Sequence, residues 1–247
     1  EDAAIALNVL AGYDADDPAS VRAPQVDYTA DLNGGVRGLR IGVPKEYIGD
    51  ILDPEQDTAF RKALSDLAEL GASVAEISIP ELAWVPALAI AITSVEASTI
   101  YGGLARTRRD ELDPSVLRRV ETAFFISGER YARALLARVL FTRRLNAAFA
   151  SVDLIATPAV ATPAPPQGTE RMTIGGVQTN VREALLRDTR IFNMSRMPAV
   201  AFPTGFSAEG LPLSMQLAAP AFQDALVLRA AHAYQQTTTW HQARAEV

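Results

Sequence analysis

Leu39-Arg40-Ile41-Gly42-Val43-Pro44, then Asp53-Pro54-Glu55-Gln56, then the run from Ser73 to Pro80 read as strand, helix and strand. The first segment is short, apolar and closed by proline, as a buried strand is. Asp53 stands at an N-cap with Pro54 at the first helical position and Gln56 two further on, a strong helix start. That helix places Phe60, Ala63, Leu64, Leu67 and Leu70 on one face and stops at Gly71. Residues 73–79 alternate as a strand. A β-α-β unit of this length predicts two parallel strands with the helix covering one face of their sheet.

Outward from that unit the pattern stays α/β. Residues 3–11 form an apolar helical run ending at Gly12, which fits a C′ residue. From 81 to 150 the pattern is helical; Pro114 opens one segment, and 129–149 is a long one with Leu135, Leu136, Val139 and Leu140 in its stripe. Residues 152–157 form a buried strand. Residues 158–180, rich in Pro and Gly, are expected to be a long surface loop. Residues 181–192 predict one helix, 199–203 and 213–218 two short strands across a turn, and 225–236 a last helix. The expected fold class is α/β, a mixed β-sheet flanked by helices on both faces.

Composition limits the function. Hydrophobic residues make up 49% and charged residues 21% of 247, with no cysteine and a net charge of -6. Disulfides, thiolate metal sites and a cysteine nucleophile are therefore excluded from these residues. His232 and His241 are the only histidines, so a His-built metal site is not expected. The acidic balance argues against a nucleic-acid surface. The most apolar stretch, 82–92, is interrupted by Pro86 and is too short to span a bilayer. Glu1-Asp2 leads straight into a helix, which reads as a cut within a longer polypeptide.

No local motif announces a chemistry. The first strand is followed by Val43-Pro44-Lys45-Glu46 rather than a glycine-rich nucleotide turn. Neither a phosphate loop nor a Gly-x-Ser-x-Gly elbow occurs. By residues alone the chain is a soluble α/β domain.

Five ordered segments carry a resemblance. They are Glu1-Asp2-Ala3-Ala4 through Leu10-Ala11-Gly12-Tyr13-Asp14; Gly38 through Pro44; and Val152-Asp153-Leu154-Ile155-Ala156-Thr157-Pro158. The fourth is Asn193 with Met197-Pro198-Ala199-Val200 and Pro203-Thr204-Gly205, and the fifth Gly210-Leu211-Pro212-Leu213-Ser214-Met215-Gln216-Leu217. In this order they resemble the C-terminal half of amidase-signature amide hydrolases, across almost the entire chain. The resemblance implies that fold, incomplete here: residues 1–247 as the C-terminal part of one domain, with the Gly/Ser-rich catalytic segment upstream of residue 1.

The resemblance also implies a Ser–cis-Ser–Lys triad acting through an acyl-enzyme. All three residues belong to the upstream segment, so no catalytic residue is assigned in this chain and it is expected to be inactive alone. Lys45 follows a strand and Lys62 lies on a polar helix face; neither substitutes for the triad lysine. Arg119 falls where glutamine-using members hold the substrate carboxylate, a task suited to a guanidinium fork, or else is an exposed helix arginine. Asp188 lies close to those members' substrate-binding aspartate, although the local spacing differs. Arg196 replaces the Gly of Asn-x-x-Gly-x-Pro-Ala and is a third substrate-facing candidate; Ser214 also replaces a Gly. Asn193 and Gln216 are expected to support the pocket, either by orienting the catalytic loop or by satisfying buried backbone.

The activity implied is hydrolysis of a carboxylic amide. The alternatives are the ammonia-releasing subunit of a glutamine-dependent tRNA amidotransferase, and a non-catalytic scaffold on half the fold. No cofactor or metal is expected. The expected partners are a small-molecule amide, the missing N-terminal half and a second copy of the chain in a homo-oligomer, without direct nucleic-acid or membrane contact, in the cytoplasm.

Overall fold

A computed structural model describes residues 1–46 and 48–244. Its helices are α1 (Asp2–Leu10), α2 (Pro54–Glu69), α3 (Val85–Thr107), α4 (Pro114–Thr122), α5 (Gly128–Ala148), α6 (Val181–Leu186), α7 (Thr189–Ser195) and α8 (Asp224–Gln235). The strands are β1 (Arg40–Pro44), β2 (Ser73–Ile77), β3 (Leu154–Pro158), β4 (Arg171–Ile174), β5 (Val177–Asn180), β6 (Ala199–Phe206) and β7 (Pro212–Ala218). Five strands form one mixed sheet in the order β2-β1-β3-β7-β6. β1 runs parallel to β2 and β3, and β7 antiparallel to β3 and β6.

The β1-α2-β2 unit forms as its sequence predicts. The Asp53 carboxylate accepts from the N–H groups of Glu55 at 2.9 Å and Gln56 at 3.4 Å, and Pro54 needs no partner in the first turn. Gly71 ends the helix at φ +100°, where its missing Cβ also lets the Arg37 backbone approach. Gln56 does not complete a capping box. Its side chain is buried and grips the backbone of Ser214, donating from Nε2 to the carbonyl at 2.7 Å and accepting its N–H at 3.3 Å.

Helices cover both faces. On one, Phe60, Leu64 and Leu67 of α2 and Val227 and Tyr234 of α8 pack over Ile41, Leu154, Phe202 and Leu217. On the other, Leu88 and Ile92 of α3, Phe141 and Leu145 of α5 and Phe192 of α7 cover Ile155 and Ala218. Leu154, Ile155 and Ala156 of β3 are wholly buried, so this central strand is apolar on both sides. Each large side chain sealed this way contributes about 2 kcal/mol.

Four expectations are corrected. Residues 158–180 are not an unstructured loop: β4 and β5 form a hairpin across Gly175-Gly176, both at positive φ (56° and 83°), a turn that matches strand twist. The helix expected over 181–192 is two, α6 and α7, parting around the buried Arg187 and Asp188. Pro86 does not interrupt the apolar stretch; it lies in the first turn of α3, where an N–H is dispensable. The resulting helical run, Pro80–Thr107, has 28 residues and mean hydropathy 1.4, and is the one helix among the described residues long and apolar enough to cross a membrane. In this fold it packs against α4, α5 and α7. Finally, α1 ends on an extended Ala11 (φ -78°, ψ 131°), so Gly12 is not a left-handed C′ residue.

β6 is an edge strand, without a partner on its outer side among the described residues. Its register with β7 shifts between Pro203 and Gly205. Pro203 faces Ser214, whose backbone groups turn the other way, toward Gln56 and the Ala159 N–H. The pair is therefore of the non-hydrogen-bonded kind, and the N–H that Pro203 lacks is missing from the outer rim.

Candidate functional site

Gln216 lies opposite Thr157 across β7 and β3. Both are buried, and the Gln216 amide donates to Thr157 Oγ1 at 2.9 Å and to the Pro158 carbonyl at 3.4 Å. The Thr157 hydroxyl donates to the same carbonyl at 2.8 Å. This closed network fixes the end of β3 and the departure of the following segment. The Gln56 clamp on Ser214 holds the adjacent point of β7, and the Ala159 N–H donates to the Ser214 carbonyl at 3.0 Å. Sequence reasoning did not identify the Gln56 clamp; a capping residue that is also needed elsewhere gives no pattern of its own.

α6 and α7 carry most of the remaining polar candidates. Asn180 caps α6, its side-chain oxygen accepting the Glu183 N–H at 3.4 Å. Arg190 Nη1 donates to both Glu183 oxygens, at 2.7 and 2.8 Å. Asp188 immediately precedes α7 and is 0% exposed. Its Oδ1 is 3.6 Å from Arg187 Nε, beyond hydrogen-bonding distance, and neither carboxyl oxygen has a hydrogen-bond partner among the described residues. Burial pushes the carboxyl up to about 8, against the pull of the Arg187 guanidinium. Desolvation is the largest influence and outweighs both the charge of Arg187 and its contact with the carboxyl.

Arg196 terminates α7 at φ 58° and ψ 36°, the left-handed region. The glycine of the family pattern at this point is explained: only glycine enters that conformation without a Cβ clash. The side chains of Asn193 and Arg196 lie three residues apart at the end of α7, and both residues are exposed. Arg119, on α4, is half-buried. It lies close enough to Arg182 of α6 to lower that guanidinium's pKa, after burial itself and together with Arg190. The structure thus groups Arg119 with Arg182 and Arg190, sets Asn193 and Arg196 together at the end of α7, seals Asp188 inside, and builds Gln216 into the sheet.

A cavity of about 480 Å³ opens between α4, the β4–β5 hairpin and α6. Ser115, Arg118, Thr169, Asn180, Arg182 and Leu186 are among its lining residues. Among the described residues no three His, Asp or Glu side chains cluster as metal ligands, and no serine is hydrogen-bonded to a lysine; Lys62 pairs with Asp66.

The chain matches the family model described as Amidase over residues 1–228. It is similar to a glutamyl-tRNA(Gln) amidotransferase subunit of Pseudomonas fluorescens, 34% identical over 267 residues that cover 98% of this chain and 54% of that protein. It is likewise 34% identical, over 249 residues, to a Pseudomonas putida protein named amidase, covering all of this chain and 53% of the relative. A bacterial aryl acylamidase structure superposes with a TM-score of 0.83 at 26% identity, covering 98% of this chain and 52% of that one. The chain spans about half the length of the curated relatives it matches.

Proposed function

Because the chain belongs to the amidase-signature family, we propose that it supplies the substrate-pocket half of an enzyme cleaving carboxylic amides. The other half, carrying the Ser–cis-Ser–Lys triad, lies in a Gly/Ser-rich segment preceding residue 1. In this reading residues 1–247 are the C-terminal part of a single catalytic domain that works in the cytoplasm. The lysine takes a proton through the bridging serine as the nucleophilic serine attacks the amide carbonyl. Backbone N–H groups stabilise the tetrahedral oxyanion. The amine leaves with a proton, and water then hydrolyses the ester to acid and free serine.

The observation carrying the proposal is the exposed end of α7, where Asn193 and a left-handed Arg196 stand beside the edge strand β6. An exposed helix end leading into an open sheet edge suits the seat of a catalytic segment. Arg119 and Arg196 are assigned to substrate recognition. Asp188, sealed from solvent, acts on the substrate side by positioning α7 rather than by contact, and Gln216 holds the sheet behind the pocket.

The test is release of ammonia or amine from primary and aryl amides, by the chain alone and by the chain joined to a triad-bearing segment. Turnover is expected only in the second case. Turnover by the chain alone that disappears on mutating one of its own serines would overturn the assignment; no turnover in either would favour a scaffold. The name of the Pseudomonas fluorescens relative and the position of Arg119 favour a second reading, the ammonia-releasing subunit of a tRNA amidotransferase. Ammonia release from glutamine, preferred over neutral amides of similar size, separates it from the first.

A further inference from the structure

Among the described residues, two threonine hydroxyls are buried without a hydrogen-bond partner, those of Thr204 and Thr238. Thr204 as a whole is 5% exposed, and Thr238 is half-buried. A buried hydroxyl ordinarily returns to a nearby carbonyl, as that of Thr237 does to Tyr234 at 2.8 Å. Thr204 falls within the register shift of β6, between Pro203 and Gly205, and takes no place opposite β7. Both unpartnered threonines line one cavity of about 660 Å³, which opens among the end of α2, the end of α8 and the second half of β6. Polar atoms left unbonded at a cavity wall cost folding free energy unless a ligand meets them.

The charge around this cavity is negative. Asp66 and Glu69 stand on its wall, and Lys62 is its one cation among the described residues. Lys62 is bonded to the Asp66 carboxylate, so that pair is neutral and Glu69 leaves one negative charge in excess. α2 brings the negative end of its dipole to the same place, with no basic residue in its last turn. Burial, and after it the Asp66 charge, pushes the Tyr234 phenol up to about 12, so it stays neutral in this field. Trp240 donates its indole N–H to that phenol and adds aromatic surface of the kind that attracts cations. One excess negative charge suits a monocation, and two free hydroxyl oxygens suit a ligand with N–H groups to donate. We infer that the cavity at the ends of α2 and α8 binds a primary organic ammonium with an apolar body, its N–H groups donating to Thr204 and Thr238 and its charge meeting that of Glu69. The inference stands on the cavity and its unpartnered hydroxyls and does not require amide turnover.

Titration calorimetry at pH 7, on the full polypeptide that carries these residues, tests it with benzylamine, benzyltrimethylammonium and benzyl alcohol as probes. Benzylamine, protonated at that pH, is expected to bind. The neutral alcohol should bind about tenfold more weakly or worse, since the charge is lost. The quaternary ion keeps the charge but donates no hydrogen bond, and should fall between the two. Thr204→Val should weaken benzylamine by about tenfold and leave the quaternary ion unchanged. Because no internal hydrogen bond is removed, the ligand-free melting temperature of that variant should stay level or rise. If it fails to fold, Glu69→Gln at an exposed position gives a second readout, both cations weakened by about threefold and the alcohol unchanged. No binding of benzylamine, equal binding of amine and alcohol, indifference of the amine to both substitutions, or a quaternary ion that binds as tightly as the amine would each overturn the inference.

Discussion

Replacing Asp188 by asparagine removes a proton equilibrium from the protein interior while keeping nearly the same shape. The carboxyl is wholly buried and raised from 3.8 to about 8, with burial the dominant cause and Arg187 opposing it. In the unfolded chain the same group ionises near pH 4. Between pH 4 and 8 the folded state therefore holds one proton more than the unfolded state, and stability falls as pH rises. Below pH 4 both states are protonated, and above 8 both are ionised, so the slope vanishes at either end. Within the window this group alone contributes a loss of about 1.4 kcal/mol per pH unit. From pH 5 to pH 7 that is about 3 kcal/mol. Asparagine cannot ionise, so urea unfolding of both proteins at pH 5, 6 and 7 isolates the effect, the other titrating groups cancelling in the difference. The native protein should lose about 3 kcal/mol relative to Asp188→Asn across that range. Parallel pH profiles would refute the reasoning. They would mean that the carboxyl is already ionised in both states across this range, held so in the fold by Arg187, 3.6 Å away.

Arg196→Gly should stabilise the fold by about 1 kcal/mol, because the residue sits at φ 58° where a Cβ is strained; an unchanged unfolding midpoint would mean the arginine side chain offsets that strain. Gln216→Leu should destabilise by about 1–3 kcal/mol, leaving the buried Thr157 Oγ1 without its donor while the Pro158 carbonyl keeps only the Thr157 hydroxyl. A double-mutant cycle with Thr157→Val should show coupling, and additive losses would place the two residues in separate roles.

The β1-α2-β2 unit was legible because its signals are local: a cap, a proline in the first turn, a glycine at the stop and an apolar face. The faces of the sheet were legible for the same reason, as runs such as Leu154-Ile155-Ala156 admit no solvent side. The hairpin was hidden in plain view. Gly175-Gly176 is a two-residue turn signal, but the dense Pro and Gly around it and the polar strands it joins masked the alternation. The division of α6 from α7 turns on Arg187 and Asp188, charged residues that periodicity assigns to a surface and the fold buries. Of the candidate site residues, Gln216 announced itself through its strand, and the left-handed setting of Arg196 through a glycine it replaces. The grouping of Arg119 with Arg182 and Arg190 was not legible. It sets Arg119 of α4 against α6 and α7 much further along the chain, and no spacing rule reports such a meeting in space.

Pro203 settles how far the rim of β6 can be extended. Before it, the strand offers ordinary donors and acceptors to a newcomer; at Pro203 one donor is absent, and the shift toward Gly205 turns the backbone out of line. A visiting strand can therefore zip along the first half of β6 and must peel away in the second. Endless stacking of identical copies, which needs a rim uninterrupted from end to end, is refused by the same residue. The edge is open to a short, splayed guest and closed to a fibril.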